Sequence, residues 1–308
     1  MRFLLDDEQR DFARSLDAML SAQDTVTATR AWGDGDRGPG RAVWARLADA
    51  GVFALPVPRA YEGQGPLPLE TAVAFVELGR HAVPGPAVET VAAEALLARL
   101  AELGEPGPAK RFLPSLASGA ACATLTLPEG GPYALDAEEA GLFLAVADGE
   151  LRLAPGHARV RRSLDPARRL AAPLSGGELL ATGPAVAGAA RHARDWAALV
   201  TAAQALGVGL ALLDRTVAYV KQRSQFGAPI GSFQAVKHRL ADVLIRLEFV
   251  RPLVLGAALT MAPGDIAAAK VTAADAAYGA SRAALQLHGA IGYTAEFDLS
   301  LWLTKARA

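Results

Sequence analysis

The chain of 308 residues is 52% hydrophobic and 20% charged, enough apolar material to bury a large core in two or three domains. Lys+Arg 31 against Asp+Glu 32 leave a formal net charge of -1, which excludes the broad basic footprint of a nucleic-acid binder or of a protein held on an anionic membrane. The single Cys122 rules out an internal disulfide and five scattered histidines show no metal-ligand spacing, so a cytoplasmic setting without a metal is expected.

The opening Met1-Arg2-Phe3-Leu4-Leu5 reaches Asp6 and Asp7 before an apolar signal core is built, and no later stretch reads as uniformly apolar over a membrane-spanning length. Neither export nor membrane insertion is expected. Residues 6–20 form an amphipathic helix capped by Asp6 or Asp7, with Phe12, Leu16, Met19 and Leu20 on one face. Gly33-Asp34-Gly35-Asp36-Arg37-Gly38 matches GxGxxG, but Pro39-Gly40 follows where a helix would have to open, so it is read as a turn. Helices are expected at 43–50, 69–80 and 92–103, separated by turns at Pro56, Pro58, Gly63, Gly65, Pro66, Pro84, Gly85 and Pro86.

From about residue 120 the texture changes to short apolar runs, 123–127, 142–146 and 151–153, the last two flanking the hairpin signal Asp148-Gly149. After Pro184 long Ala-rich helices follow at 187–221, 233–260 and 264–288, divided by Gly227-Ala-Pro229 and Pro263-Gly264. The pattern predicts a mainly α chain with a small β domain: an N-terminal helical domain 1–119, a reduced β domain 120–185 and a C-terminal helical bundle 186–308.

Two blocks in the last third carry chemistry. In the first, Arg223-Ser224-Gln225-Phe226-Gly227-Ala228-Pro229-Ile230-Gly231-Ser232-Phe233-Gln234, Arg223 is a permanent cation whose donor fork suits a pyrophosphate, and Phe226 offers a flat apolar face to a ring. In the second, Gln286-Leu287-His288-Gly289-Ala290-Ile291-Gly292-Tyr293, Gln286 supplies an amide and Gly289 permits close backbone approach. Each residue singly could be a surface cation, core aromatic or helix cap.

The order and spacing of these blocks resemble the signature of the acyl-CoA dehydrogenase family. Leu47-Ala-Asp-Ala-Gly51, Val57-Pro58, Tyr61-Glu-Gly63-Gln-Gly65 and Glu77-Leu-Gly79-Arg80 are similar to that family's N-terminal helical domain. The resemblance implies an FAD-dependent subunit that desaturates an acyl-CoA thioester. It also implies that Arg223, Gln225, Phe226, Ile230, Phe233, Gln234, Gln286, Gly289 and Ala290 reach the adenosine and pyrophosphate part of an FAD whose flavin ring sits in a neighbouring subunit.

The family pattern is broken in two places. Its usual catalytic base falls beyond Ala308, and its alternative base position corresponds to about Ala197, which cannot take a proton. Asp195 lies two positions, about 200°, around the helix from Ala197, and Glu296 does not stand at a base position. Thr124-Leu-Thr126-Leu-Pro128-Glu129-Gly130-Gly131 replaces the family's Thr-Glu-Pro segment, and Trp32, Trp44, Trp196 and Trp302 all lie outside the β region. The expected function is therefore that of a shortened subunit, similar to those of actinobacterial heteromeric acyl-CoA dehydrogenases, whose related partner carries the base. A self-sufficient homo-oligomer with its base in a segment after Ala308, and a non-enzymatic scaffold of the same fold, are the alternatives.

Overall fold

The structure, a computed structural model, describes residues 4–308; residues 1–3, which begin the stretch read above for a signal, lie outside the described residues. In chain order the elements are α1 (Asp7–Ser21), α2 (Thr25–Asp34), α3 (Gly38–Asp49), α4 (Pro68–Arg80), α5 (Ala87–Glu102) and α6 (Gly107–Ala117). Seven strands follow: β1 (Ala123–Thr126), β2 (Ala134–Leu135), β3 (Leu142–Ala147), β4 (Glu150–Leu153), β5 (Arg161–Arg162), β6 (Arg169–Ala171) and β7 (Glu178–Thr182). The chain ends with α7 (Pro184–Gln222), the short strands β8 (Ser224–Gln225) and β9 (Ala228–Pro229), and α8 (Gln234–Thr260), α9 (Pro263–His288) and α10 (Leu299–Lys305). The fold is mainly α with small sheets, as the sequence predicts.

By compactness the chain divides into two units, each assembled from separated stretches: residues 1–26, 72–83 and 201–308 in the first, and residues 27–71 and 84–200 in the second. The linear segments above thus follow the order of element types along the chain, whereas the compact units cut through α4 and α7.

In the first unit α1 begins with a capping box: the Asp6 carboxylate accepts from the Gln9 N–H and the Gln9 side chain accepts from the Asp6 N–H, satisfying two donors that a helix start leaves open. Its face buries Leu16 and Leu20. α8 ends at Met261 in the left-handed region, φ 48°, and Pro263 opens α9 two residues later, so the two helices form a tight hairpin. Leu247, Val250 and Val254 on α8 and Ala269 and Ala273 on α9 are fully buried or nearly so. A Cβ on Gly79 of α4 would stand 2.1 Å from the Gln204 carbonyl, and one on Gly207 of α7 only 1.9 Å from the Val76 carbonyl. The two helices cross backbone to backbone at these glycines, which no larger residue permits.

In the second unit β1 pairs parallel with β3, and β3, β4 and β7 continue antiparallel as a four-stranded sheet; β2, β6 and β5 make a three-stranded one. The β3–β4 turn falls at Asp148-Gly149, where both residues are left-handed (φ 51° and 76°), so the hairpin stands where its sequence signal lies. Leu96, Leu97 and Leu100 of α5 and Leu113 and Leu116 of α6 pack with Leu144 and Leu151 of the sheet. Trp32 of α2 donates to Asp136 (3.1 Å), while Arg37 lies over the Trp32 ring and bonds Glu138 and Glu139 at 3.2 and 3.1 Å. Residues 33–38, the GxGxxG match, run from the end of α2 through a turn into α3, with no strand ahead of them.

The expectation that no stretch combines membrane-spanning length with apolarity fails for α7, which is long and apolar enough. Its most apolar window is 72% buried in the protein, the burial of a core helix.

Candidate functional site

α7 runs out at Gln222 into a minimal hairpin, with Gln225 opposite Ala228 and the Ile230 N–H closing it on the Arg223 carbonyl at 2.8 Å. Phe226 and Gly227 form the two-residue turn at φ 55° and 78°. Glycine takes that conformation freely; for phenylalanine it costs about 1–2 kcal/mol. The ring is also 94% exposed and meets the Phe233 ring edge to face at 6.4 Å. A bulky apolar side chain held both strained and uncovered adds little to the stability of the fold.

The second block is brought to the same end of the helical unit by an aromatic stack. Tyr219, one turn before Arg223, stacks on His288 at 4.1 Å, and Phe297 packs against both rings. The His288 Nδ1 donates to the Ala284 carbonyl at 2.8 Å, and burial holds its pKa below 6.5, so the ring is neutral. Directly after it Gly289 leaves the helix at φ 66°, ψ -140°, with open space where a Cβ would stand. Arg223, Gln225, Phe226, Phe233, Gln234, Gln286, Gly289 and Ala290 are exposed and Ile230 is half-buried. Among the described residues the Arg223 guanidinium has no protein partner. A free cation, an uncovered aromatic, an exposed amide and an open glycine fit the pyrophosphate and ring chemistry of FAD. Sequence reading named both blocks but missed Tyr219 and Phe297, whose role is legible only through the packing.

No proton acceptor stands at the alternative base position: Ala197 is partly buried against the core of the second unit. Asp195 lies 3.9 Å from the Arg194 Nε and borders a depression lined by Arg99, Arg191 and His192, where burial and then Arg99 lower the His192 pKa. Glu296 is exposed.

Three carboxylates, Glu94, Asp17 and Glu77, were given no site role by the sequence. Glu94 of α5 is wholly buried with neither oxygen hydrogen-bonded, and desolvation raises its pKa well above 4.5, which favours the neutral carboxyl. Asp17, Glu77 and His81 converge within 4.8 Å, contrary to the expectation of no such cluster. His81 bonds Asp17 at 2.8 Å, Glu77 lies 3.6 Å from Arg80, and burial pushes Glu77 up to about 7.

Helices with small sheets and a polar, aromatic end suited to a dinucleotide define the class, a mainly α flavoprotein. Comparison with known proteins narrows it: the chain belongs to the acyl-CoA dehydrogenase family. Residues 6–120 match the N-terminal domain of acyl-CoA dehydrogenase and residues 187–308 its C-terminal domain. The chain is 35% identical over 303 residues to acyl-CoA dehydrogenase IpdE2 of Mycobacterium tuberculosis (strain ATCC 25618 / H37Rv), covering 97% of this chain and 91% of that one. In fold it resembles the Tcur3481-Tcur3483 steroid ACAD (TM-score 0.85, 24% identity, 98% of this chain and 92% of that). It also resembles the ChsE4-ChsE5 complex of Mycobacterium tuberculosis (TM-score 0.82, 24% identity, 100% and 93%). The family and its solved members are FAD-binding flavoproteins.

Proposed function

We propose that this chain is a subunit of an FAD-dependent acyl-CoA dehydrogenase that forms an α,β-unsaturated acyl-CoA, that it contacts the adenosine and pyrophosphate end of the FAD, and that a related partner subunit holds the flavin ring and supplies the base. The observation that carries this reading is the Phe226 hairpin, strained and uncovered beside the unpaired Arg223. When bound, FAD supplies the acceptor for the hydride that leaves the β carbon. Arg223 would neutralise the pyrophosphate, Phe226 and Phe233 would cover a ring, and Gln286 with the Gly289 backbone would close the polar side.

Removing the proton α to the thioester requires a base, and Ala197 supplies none. Assembly is supported by a second uncovered surface: Ile245, Phe249 and Leu253 recur every fourth residue on α8 and are 52%, 69% and 39% exposed. Covering such side chains is worth about 1.5–3 kcal/mol each. Two of the structural relatives are named as pairs of chains, which fits a heteromeric assembly. A single cysteine supports a reducing, cytoplasmic setting.

The test is flavin retention. Arg223→Ala should lose FAD on gel filtration while the wild-type assembly keeps it, because a charge-assisted bidentate contact is removed. Unchanged flavin absorbance in the variant would remove Arg223 from the site.

A further inference from the structure

The hydrogen-bond pattern of α4 runs one residue past its end: the His81 N–H donates to the Glu77 carbonyl at 3.1 Å. Glu77 and His81, four positions apart, therefore leave the chain on one face. α1 brings Asp17 to the same place, with its Oδ1 2.8 Å from the His81 Nε2. The three donor atoms lie within 4.8 Å of one another, and no other three histidine, cysteine or carboxylate side chains among the described residues converge in this way. All three belong to the first unit.

The Glu77 carboxylate sets the group apart from an ordinary ion-pair network. Its Oε2 is sealed from solvent and accepts no hydrogen bond. The Arg80 Nε stands 3.6 Å from it, beyond hydrogen-bond reach, while the Arg80 Nη2 donates to Asp214 at 3.2 Å. Arg251, the other cation acting on Glu77, pairs with Glu248 at 3.3 Å. Both cations thus keep carboxylates of their own, and a buried oxygen is left facing Asp17 and His81 without a donor. Such an oxygen is costly, and a cation seated on it removes the cost. The Glu77 and His81 side chains are only 12% and 15% exposed, whereas Asp17 is 51% exposed and gives an ion its way in.

The donors select the ion. One imidazole nitrogen with two carboxylate oxygens suits zinc and neighbouring transition metals, whereas magnesium and calcium favour shells of oxygen alone. Two carboxylates and a neutral imidazole balance the charge of a dication. A small rotation of the half-exposed Asp17 side chain would bring the three donors to the about 2.0–2.2 Å that zinc takes, with a water in the fourth tetrahedral position.

We propose that Asp17, Glu77 and His81 bind a transition-metal dication of the zinc type, which clamps α1 to α4. The site involves neither the Arg223 hairpin nor the Gln286 block, so it stands or falls apart from the flavin reading.

The test is calorimetric titration of the assembled protein, stripped with a chelator, with zinc and with magnesium, followed by thermal unfolding with and without zinc. Wild type is set beside Asp17→Asn, His81→Gln and His238→Gln, the last at an exposed histidine outside the cluster. Zinc should bind wild type and His238→Gln at one ion per copy of this chain and raise their unfolding temperature. Binding should be about tenfold or more weaker in Asp17→Asn and His81→Gln, with the rise in unfolding temperature lost. Asp17→Asn keeps an acceptor for His81 at a half-exposed position, so its unfolding without zinc should match wild type and its loss of binding is not a loss of fold. Absence of zinc binding by the wild type overturns the site. Equal zinc affinity in wild type and both ligand variants, or loss of binding in His238→Gln, overturns it in favour of adventitious binding elsewhere. Magnesium bound as tightly as zinc overturns it in favour of general attraction to acidic groups.

Discussion

Two aromatic side chains of the first unit are treated in opposite ways. Trp302 is wholly buried, donates to the Arg80 carbonyl at 2.9 Å and carries the Arg215 guanidinium 3.7 Å from its ring centroid. Phe226 stands 94% exposed on a left-handed backbone. The first arrangement stabilises the fold and the second weakens it slightly, as the proposed contact of the hairpin with FAD would require.

Replacing Trp302 should therefore have the largest effect on stability. Trp302→Ala removes a fully buried ring and a hydrogen bond and should cost about 3–5 kcal/mol in urea unfolding. Little change would mean that α10 is not part of the packed unit. Glu94 lies between the two cases, buried but unsatisfied. Glu94→Leu should raise stability by about 1–3 kcal/mol at pH 8 by removing an orphaned polar group. With the folded pKa raised, the wild type loses stability as pH rises above 4.5, and the variant should lack that loss. A destabilised Glu94→Leu protein would reveal a partner for the carboxyl.

Phe226→Asn sharpens the comparison most cleanly, because asparagine tolerates the left-handed region. It should stabilise the chain by up to about 1 kcal/mol and at the same time weaken flavin retention. Stability lost together with flavin would show that Phe226 is ordinary packing. The pH dependence of stability is tested at Glu77. Its folded pKa of about 7 against 4.5 means that stability falls as pH rises from 4.5 to about 7, and Glu77→Gln should flatten that slope in pH-dependent thermal unfolding.

Long periodic elements were legible in the sequence because their signals are local. The Asp6 cap, the Asp148-Gly149 hairpin and the Pro263 boundary each depend on a few neighbouring residues, and the structure places them there. α2 was missed because Thr25-Val26-Thr27-Ala28-Thr29 is a β-branched run with poor helix propensity, overridden by burial of Trp32. α6 was not among the expected helices because Pro108 and Pro114 interrupt its pattern; Pro108 occupies a helix start, and Pro114 is accommodated inside a helix that buries Phe112, Leu113 and Leu116. The FAD blocks were readable as motifs, whereas the Tyr219–His288 stack joining them, the Trp32–Asp136 bond across 104 positions and the buried Glu94 depend on tertiary contacts that no local pattern encodes.

The most direct test of the proposed division of labour is single-turnover flavin reduction by an acyl-CoA, measured on this chain alone and on the chain assembled with a related partner subunit. The proposal that the partner supplies the base predicts reduction slower by about 10²- to 10⁴-fold for the chain alone, with the rate restored by the partner and lost again when the partner's carboxylate base is replaced. Reduction by the isolated chain at an ordinary enzymatic rate, about 1–10³ s⁻¹, would contradict the account.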